Sequence, residues 1–287
     1  MTLQDHSLDG KTMLVTGATA GIGEITALEL ARRGAAVILV SRSPEKCAAT
    51  AERIRGETDN PNIDFIVADL SSQAQIRQAA AQFKARYDRL DVLVNNAGGV
   101  FASRKLSVDG IEMNFALNHL SYFLLTNLLL DVLKASAPAR IVNVSSNGHF
   151  DSAPDFADLQ FEKNYAMLKA YGRSKFANVL FTYELARRLE GNGVTANALN
   201  PGLVKTRIGT NSGWLVGLAW NLVNWLRNGL TPEEGAQTSI LLASSVQLEG
   251  VTGKYYSRQK ERASDPVTYD EELARHLWEI SAQMVGL

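Results

Sequence analysis

The chain is poor in the residues that staple a fold or ligate a metal. A single cysteine, Cys47, among 287 residues excludes an intramolecular disulfide and suits a reducing cytoplasm. The four histidines, His6, His119, His149 and His276, show no metal-ligand spacing with one another or with Cys47, so no metal is expected. Lys and Arg form no block and the net charge is −1, which argues against a nucleic-acid surface. The N-terminal "MTLQDHSLDG" is polar and carries no signal-peptide pattern. No run of about 18 apolar residues marks a membrane-spanning helix. What the chain does have is apolar content: 46% hydrophobic against 21% charged residues, enough for a sizeable core. These features indicate a cytoplasmic globular protein, with monomer and homo-oligomer both open.

From residue 12 to about 200, short β-branched runs alternate with longer amphipathic stretches. The runs are "TMLVT" (12–16), "AAVILVS" (35–41), "IDFIVA" (63–68), "LDVLVN" (90–95), "RIVNVS" (140–145) and "GVTANALN" (193–200). Between them lie stretches such as "GEITALELARRG" and "SQAQIRQAAAQFKARY". Near-continuous apolar strands separated by helices indicate a parallel sheet covered on both faces. Right-handed crossovers then give an α/β, Rossmann-like, doubly wound sheet of about seven strands, its ligand beyond the strands' carboxyl ends. The last strand is expected near "GKYYS" (253–257), after a helix over 232–244. No linker or repeat divides residues 1–287, which read as one domain, and 203–230 breaks the alternation as an insertion.

The first strand runs into "TGATAGIGEITALELARRG" (16–34). Gly17, Gly21 and Gly23 would let backbone approach a pyrophosphate at the helix N-terminus, with Thr19, Ala20 and Ile22 completing the cofactor-binding turn. Their spacing is G-x-x-x-G-x-G, not the common G-x-G-x-x-G. After the second strand, where an acidic residue would hold the ribose 2′-hydroxyl of NAD, stand Ser41 and Arg42. A guanidinium can hold a 2′-phosphate that a carboxylate would repel, so NADP(H) is favoured over NAD(H). Further on, "AYGRSK" places Tyr171 and Lys175 four residues apart, on one face of an amphipathic helix. A nearby ammonium favours phenolate, which would make the tyrosine a usable proton donor or acceptor. Taken alone, the pair also fits a solvated helix face.

Together these motifs resemble the short-chain dehydrogenase/reductase family, and others follow in its order over roughly residues 10–257. "ADL" (68–70) resembles the segment whose aspartate, here Asp69, meets the adenine, with Leu70 beside it. "NNAG" (95–98) resembles the strand-four motif and puts Asn96, Ala97 and Gly98 near the cofactor ribose. "NFALNHLSYFLLT" (114–126) resembles the helix of the active-site asparagine, which implies Asn118 rather than Asn114. "RIVNVSS" (140–146) implies Ser146 as the substrate-binding serine, with Ser145 facing the other way along the strand. "NPGLVKT" (200–206) resembles the segment under the nicotinamide and implies Pro201, Gly202, Val204 and Thr206 as cofactor contacts. Within the family, "YGRSKFANVLFTYELARRLEGNGVTANALNPGLVKT" is most similar to the retinol dehydrogenase and related NADPH carbonyl reductase branch. The resemblance implies interconversion of an alcohol and a lipophilic aldehyde, ketone or retinoid-like carbonyl. Tyr171 would be the general acid and Lys175 would lower its pKa and hold the nicotinamide ribose. Ser146 would bind the carbonyl oxygen, and Asn118 would fix a water of a proton relay.

A catalytically idle nucleotide sensor on the same fold is the alternative, and an epimerase-type relative is a third. Intact Asn118, Ser146, Tyr171 and Lys175 favour the enzyme. His149 lies three residues after Ser146, but no G-x-S-x-G elbow supports a hydrolase, so His149 is expected to line the pocket or face solvent. In 209–235, Trp214, Leu218, Leu222 and Trp225 make a wide apolar helix face flanked by glycines. It is expected to be a lid over the substrate, with peripheral membrane contact as the competing reading.

Overall fold

The computed structural model describes residues 6–204 and 229–287, so most of the expected lid, with Trp214 and Trp225, lies outside the described residues. The expected strands form: β1 (Thr12–Thr16), β2 (Ala36–Ser41), β3 (Ile63–Val67), β4 (Val92–Asn95), β5 (Ala139–Val144), β6 (Val194–Asn200) and β7 (Tyr255–Ser257). They pair in parallel in one sheet, and an eighth strand, β8 (Lys260–Glu261), adds antiparallel to β7. The strand order is β3-β2-β1-β4-β5-β6-β7-β8. The sheet therefore has one strand more than the sequence suggests. Its hairpin turn takes positive φ at Arg258 (51°) and Gln259 (60°), without the Gly or Asn that usually signals such a turn.

Alternate strand residues enter separate cores, as a sheet buried on both faces requires. Leu14, Ile38, Leu93 and Ile141 pack under α3 (Gln73–Arg86), α4 (Met113–Ala135), α5 (Met167–Arg188) and α7 (Glu271–Val285). Met13, Val15, Val37, Leu39 and Val142 pack under α1 (Gly21–Arg32), α2 (Pro44–Thr58) and α6 (Pro232–Ser244). Among the described residues α4 is long and apolar enough to cross a membrane by length and composition, a test that a buried core helix also passes. In its most apolar window 67% of the residues are buried, and Phe123, Leu124 and Leu129 belong to the core.

Because β1 sits between β2 and β4, the winding reverses there and a crevice opens beyond the carboxyl ends of β1 and β4. At the opposite end, Asp91 clamps the two strands together. Its buried carboxylate accepts from the Thr12 amide and the Lys11 ammonium, each at 2.9 Å, and from Arg89 Nε at 2.7 Å. Burial alone would raise this carboxyl, but Arg89, the Thr12 amide and Lys11 outweigh it and hold the pKa below its ordinary value. A depressed folded pKa gives stability that is complete above the unfolded carboxylate's pKa and lost as pH falls through the folded one. Asp91→Ala should therefore cost roughly 1.5–3 kcal/mol at neutral pH, the scale of a charge-assisted hydrogen bond. Thermal denaturation as a function of pH measures this, and the difference from wild type should shrink in acid.

Candidate active site

β1 ends at Thr16, and the chain turns into α1 through Gly17, at φ +66°. A Cβ on Gly17 would stand 2.9 Å from Ala97 Cα, and one on Gly23 would stand 2.3 Å from Asn96 Nδ2. The space opened by these two glycines is thus taken by the end of β4, where Asn96 Nδ2 donates to the Thr16 carbonyl at 2.8 Å. What the turn offers an anion is the start of α1. Its N-cap, Ala20, provides no side-chain cap, whereas Ser43 and Ser72 cap α2 and α3. First-turn N–H groups of this kind suit a pyrophosphate. Gly21, at φ +58°, begins that helix. Thr19 Oγ1 lies 2.9 Å from Ser41 Oγ, which ties the turn to the end of β2, where Arg42 is exposed.

Across the crevice, Pro201 and Gly202 continue from β6, and the Gly202 amide donates to Asn200 Oδ1 at 3.0 Å. A Cβ on Gly235 of α6 would meet Val204 Cγ2 at 2.5 Å and Ile22 Cγ1 at 3.4 Å, so this segment packs beside the glycine turn. Thr206 lies outside the described residues. Two expected cofactor contacts have other partners. The Asp69 carboxylate accepts from the amide and hydroxyl of Ser71, at 2.9 and 2.7 Å, and Leu70 is a core residue.

Ser146, Tyr171 and Lys175 converge at the carboxyl end of β5. Ser146 and Tyr171 line a cavity of about 440 Å³ with Gly148, Leu168, Lys169 and Leu203. A larger groove, about 610 Å³, lies at the amino ends of β5 and β6 and holds none of these residues. Ser145 points away and donates to the Lys175 carbonyl at 2.7 Å. Burial pushes the Tyr171 phenol up, and its hydrogen bond with Ser146 works against that rise. Lys175 is buried, its Nζ donates to the Val144 carbonyl at 2.9 Å, and burial lowers its pKa to about 7. The ammonium lies 6.0 Å from the Tyr171 ring centroid. The expected lowering of the phenol by Lys175 is therefore replaced here by a rise from burial, because desolvation acts on both groups.

Asn118 sits in a π-helical stretch of α4, Ala116–Leu120. Its Oδ1 accepts from the Gly99 amide at 2.7 Å, and its Nδ2 donates to the Gly99 carbonyl and to Ser174 Oγ, each at 2.9 Å. Gly98 lies over it: a Cβ there would be 3.1 Å from Asn118 Oδ1 and 3.5 Å from Lys175 Nζ. Asn114, the rival, instead donates to Glu112 and to the Tyr165 hydroxyl. Sequence reasoning missed Ser174 and Asn178. The latter donates to the Asn118 carbonyl at 2.9 Å and to Val144 at 3.4 Å. The signal was present, since 171, 174, 175 and 178 form a polar stripe at helical spacing on a buried helix. His149 neither lines the cavity nor faces solvent. It is fully buried against the rings of Phe150 and Tyr255. Among the described residues no cluster of His, Cys, Asp or Glu could hold a metal. The arrangement offers two hydroxyls that share a cavity wall, with Lys175 buried behind them. That equipment suits proton transfer to or from a bound oxygen.

Comparison with known proteins agrees. The short chain dehydrogenase family profile matches residues 11–213. Retinol dehydrogenase 13 of Homo sapiens is 47% identical, over 98% of this chain and 86% of the relative. Polyprenol dehydrogenase of Homo sapiens is 43% identical, over 96% and 86%. The solved Pseudomonas aeruginosa RhlG/NADP active-site complex superposes with a TM-score of 0.71 at 31% identity, over 88% of this chain and 96% of that one.

The residue after Tyr171 shows how closely its helix meets the serine turn. A Cβ on Gly172 would stand 2.4 Å from the Gly148 carbonyl oxygen and 2.3 Å from Ser152 Oγ. In Gly172→Ala the turn carrying Ser146 has to move relative to Tyr171. A misplacement near 1 Å should lower kcat by about 10²-fold, as steady-state kinetics would show. An unchanged kcat would mean that the spacing of the two hydroxyls is not set here.

Proposed function

The chain belongs to the short-chain dehydrogenase family, in its retinol dehydrogenase branch, and from that premise we propose an NADPH-dependent reductase of lipophilic aldehydes and ketones. The class of reaction, oxidoreduction between alcohol and carbonyl with a nicotinamide cofactor, follows from the family itself. One observation carries the proposed mechanism: the Ser146–Tyr171 hydroxyl pair on the cavity wall, with Lys175 buried behind it. When bound, NADPH supplies the hydride. The first turn of α1 would hold the pyrophosphate, and Arg42, beside the Thr19–Ser41 bond, would hold the 2′-phosphate.

Ser146 Oγ and the Tyr171 hydroxyl both address the substrate oxygen. The raised pKa of Tyr171 keeps the phenol protonated at neutral pH, so it stands ready as an acid. As its proton leaves, the Ser146 hydroxyl and the Lys175 ammonium favour the phenolate that remains. Asn118, bonded to both the amide and the carbonyl of Gly99, holds the 98–99 backbone above Lys175. Leu168 and Leu203 on the cavity wall favour an apolar substrate, and relatives named for retinol and polyprenol favour lipophilic alcohols.

Following NADPH consumption with a panel of aldehydes and ketones tests this directly. In Tyr171→Phe the ring remains but the proton donor is gone. NADPH binding should persist while turnover falls about 10²–10⁴-fold, the range for general acid catalysis. Near-normal turnover in that variant would refute the mechanism. In Arg42→Ala, fluorescence titration should show NADPH affinity falling about tenfold or more, the equivalent of one charge-assisted pair. NADH affinity should stay unchanged, and equal losses for the two cofactors would remove the preference from this residue.

A further inference from the structure

His149 takes no part in the contacts just described, yet both of its ring nitrogens are engaged. Nδ1 lies 2.7 Å from the Ser146 carbonyl oxygen, and Nε2 lies 3.1 Å from the Asp265 amide nitrogen. A carbonyl can only accept and an amide can only donate. The ring is therefore the neutral tautomer with its proton on Nδ1. The same Ser146 carbonyl also accepts from the His149 amide at 3.1 Å, while Ser146 Oγ accepts from the Gly148 amide at 3.1 Å. The backbone of Ser146 is thus gripped on one side by His149. On the other side the turn presses against α5 at Gly172, where no Cβ fits.

Asp265 extends the grip. Its Oδ2 accepts from the Asp151 amide at 2.9 Å, closing the loop that follows the serine turn. Its carbonyl accepts from the Thr268 hydroxyl at 2.6 Å, and that hydroxyl lies 2.6 Å from Ser264 Oγ. Ser264 Oγ in turn lies 2.7 Å from the hydroxyl of Tyr183, which sits on α5 with Tyr171. The contacts form a closed circuit from Ser146 through His149 and the 264–268 segment to α5, and along that helix to Tyr171.

We propose that His149 is a positioning residue: its Nδ1–H, aligned by the Asp265 amide, fixes the Ser146 carbonyl and so aims the Ser146 hydroxyl at Tyr171. The inference rests on the reductase reading for the use made of Ser146. Two substitutions in the full-length chain separate the two ring nitrogens. The carboxamide nitrogen of His149→Asn reaches the place of Nδ1 and can still donate to Ser146. The carboxamide oxygen of His149→Gln reaches the place of Nε2, keeping the Asp265 contact and losing the Ser146 one. With NADPH and an aliphatic aldehyde, kcat should fall about tenfold or more in His149→Gln and stay within about threefold of wild type in His149→Asn. NADPH affinity should be unchanged in both. Equal losses that follow the melting temperature, or the reverse order, would overturn the inference. A second readout needs no turnover: nitrogen-15 NMR of the imidazole should show the proton on Nδ1 at neutral pH, in wild type and in Tyr171→Phe. A proton on Nε2 would also overturn it. A wild type that reduces no carbonyl would count against the proposed function, and the tautomer would still decide the matter of His149.

Discussion

The Lys175 ammonium is almost wholly buried, and its 2.9 Å hydrogen bond to the Val144 carbonyl is the contact around which the site is arranged. Burying a charge without a counter-ion is costly, and among the described residues no carboxylate forms an ion pair with it. The carbonyl at the end of a central strand takes the place of a counter-ion. Asn178 donates to that same oxygen and to the Asn118 carbonyl, so one amide braces the strand end and the asparagine helix together. Asn178 Oδ1 lies 3.3 Å from His119 Nδ1, whose Nε2 lies 2.9 Å from Ser281 on α7. Burial lowers the His119 pKa to about 4 and so keeps the ring neutral, which lets Nδ1–H donate to Asn178 and Nε2 accept from Ser281. The C-terminal helix is in this way tied to the residues around the lysine.

The sheet was legible because parallel strands covered on both faces leave a simple pattern: short β-branched runs separated by amphipathic stretches. β2 and β5 lie within one residue of the runs read for them. β8 was not legible, since two exposed charged residues and a turn without glycine leave no hydrophobic or conformational mark. The cofactor side was legible in outline only. Glycines at a strand-to-helix turn signal a close approach, but not which atoms approach. Here the close contacts of Gly17 and Gly23 are with Asn96 and Ala97, and the opening for an anion is the uncapped start of α1.

In the proposed site, Asn118, Ser146, Tyr171 and Lys175 lie close together on three separate elements. Their supports divide into two kinds. Ser174 and Asn178 share the helix face of Tyr171 and Lys175, so local periodicity could have revealed them. His149 and His119 could not be found that way, because the partners of their Nε2 atoms are 116 and 162 residues distant. A lone histidine in a sequence has no visible partner until the fold supplies one.

The π stretch Ala116–Leu120 carries one further consequence. A π turn holds one more residue than the α turn it replaces, and its wider hydrogen-bonded ring makes it rare. Deleting any one residue there would let α4 wind as an unbroken α-helix, a gain for the backbone ladder. Because either kind of turn completes one revolution, the helix on both sides of the deletion would keep nearly its present orientation, and only the residues within the stretch would shift. Asn118, pinned to Gly99 on one side and to Ser174 on the other, lies inside that shifted stretch. The wide turn therefore sets where Asn118 stands on α4 without redirecting the helix on either side of it.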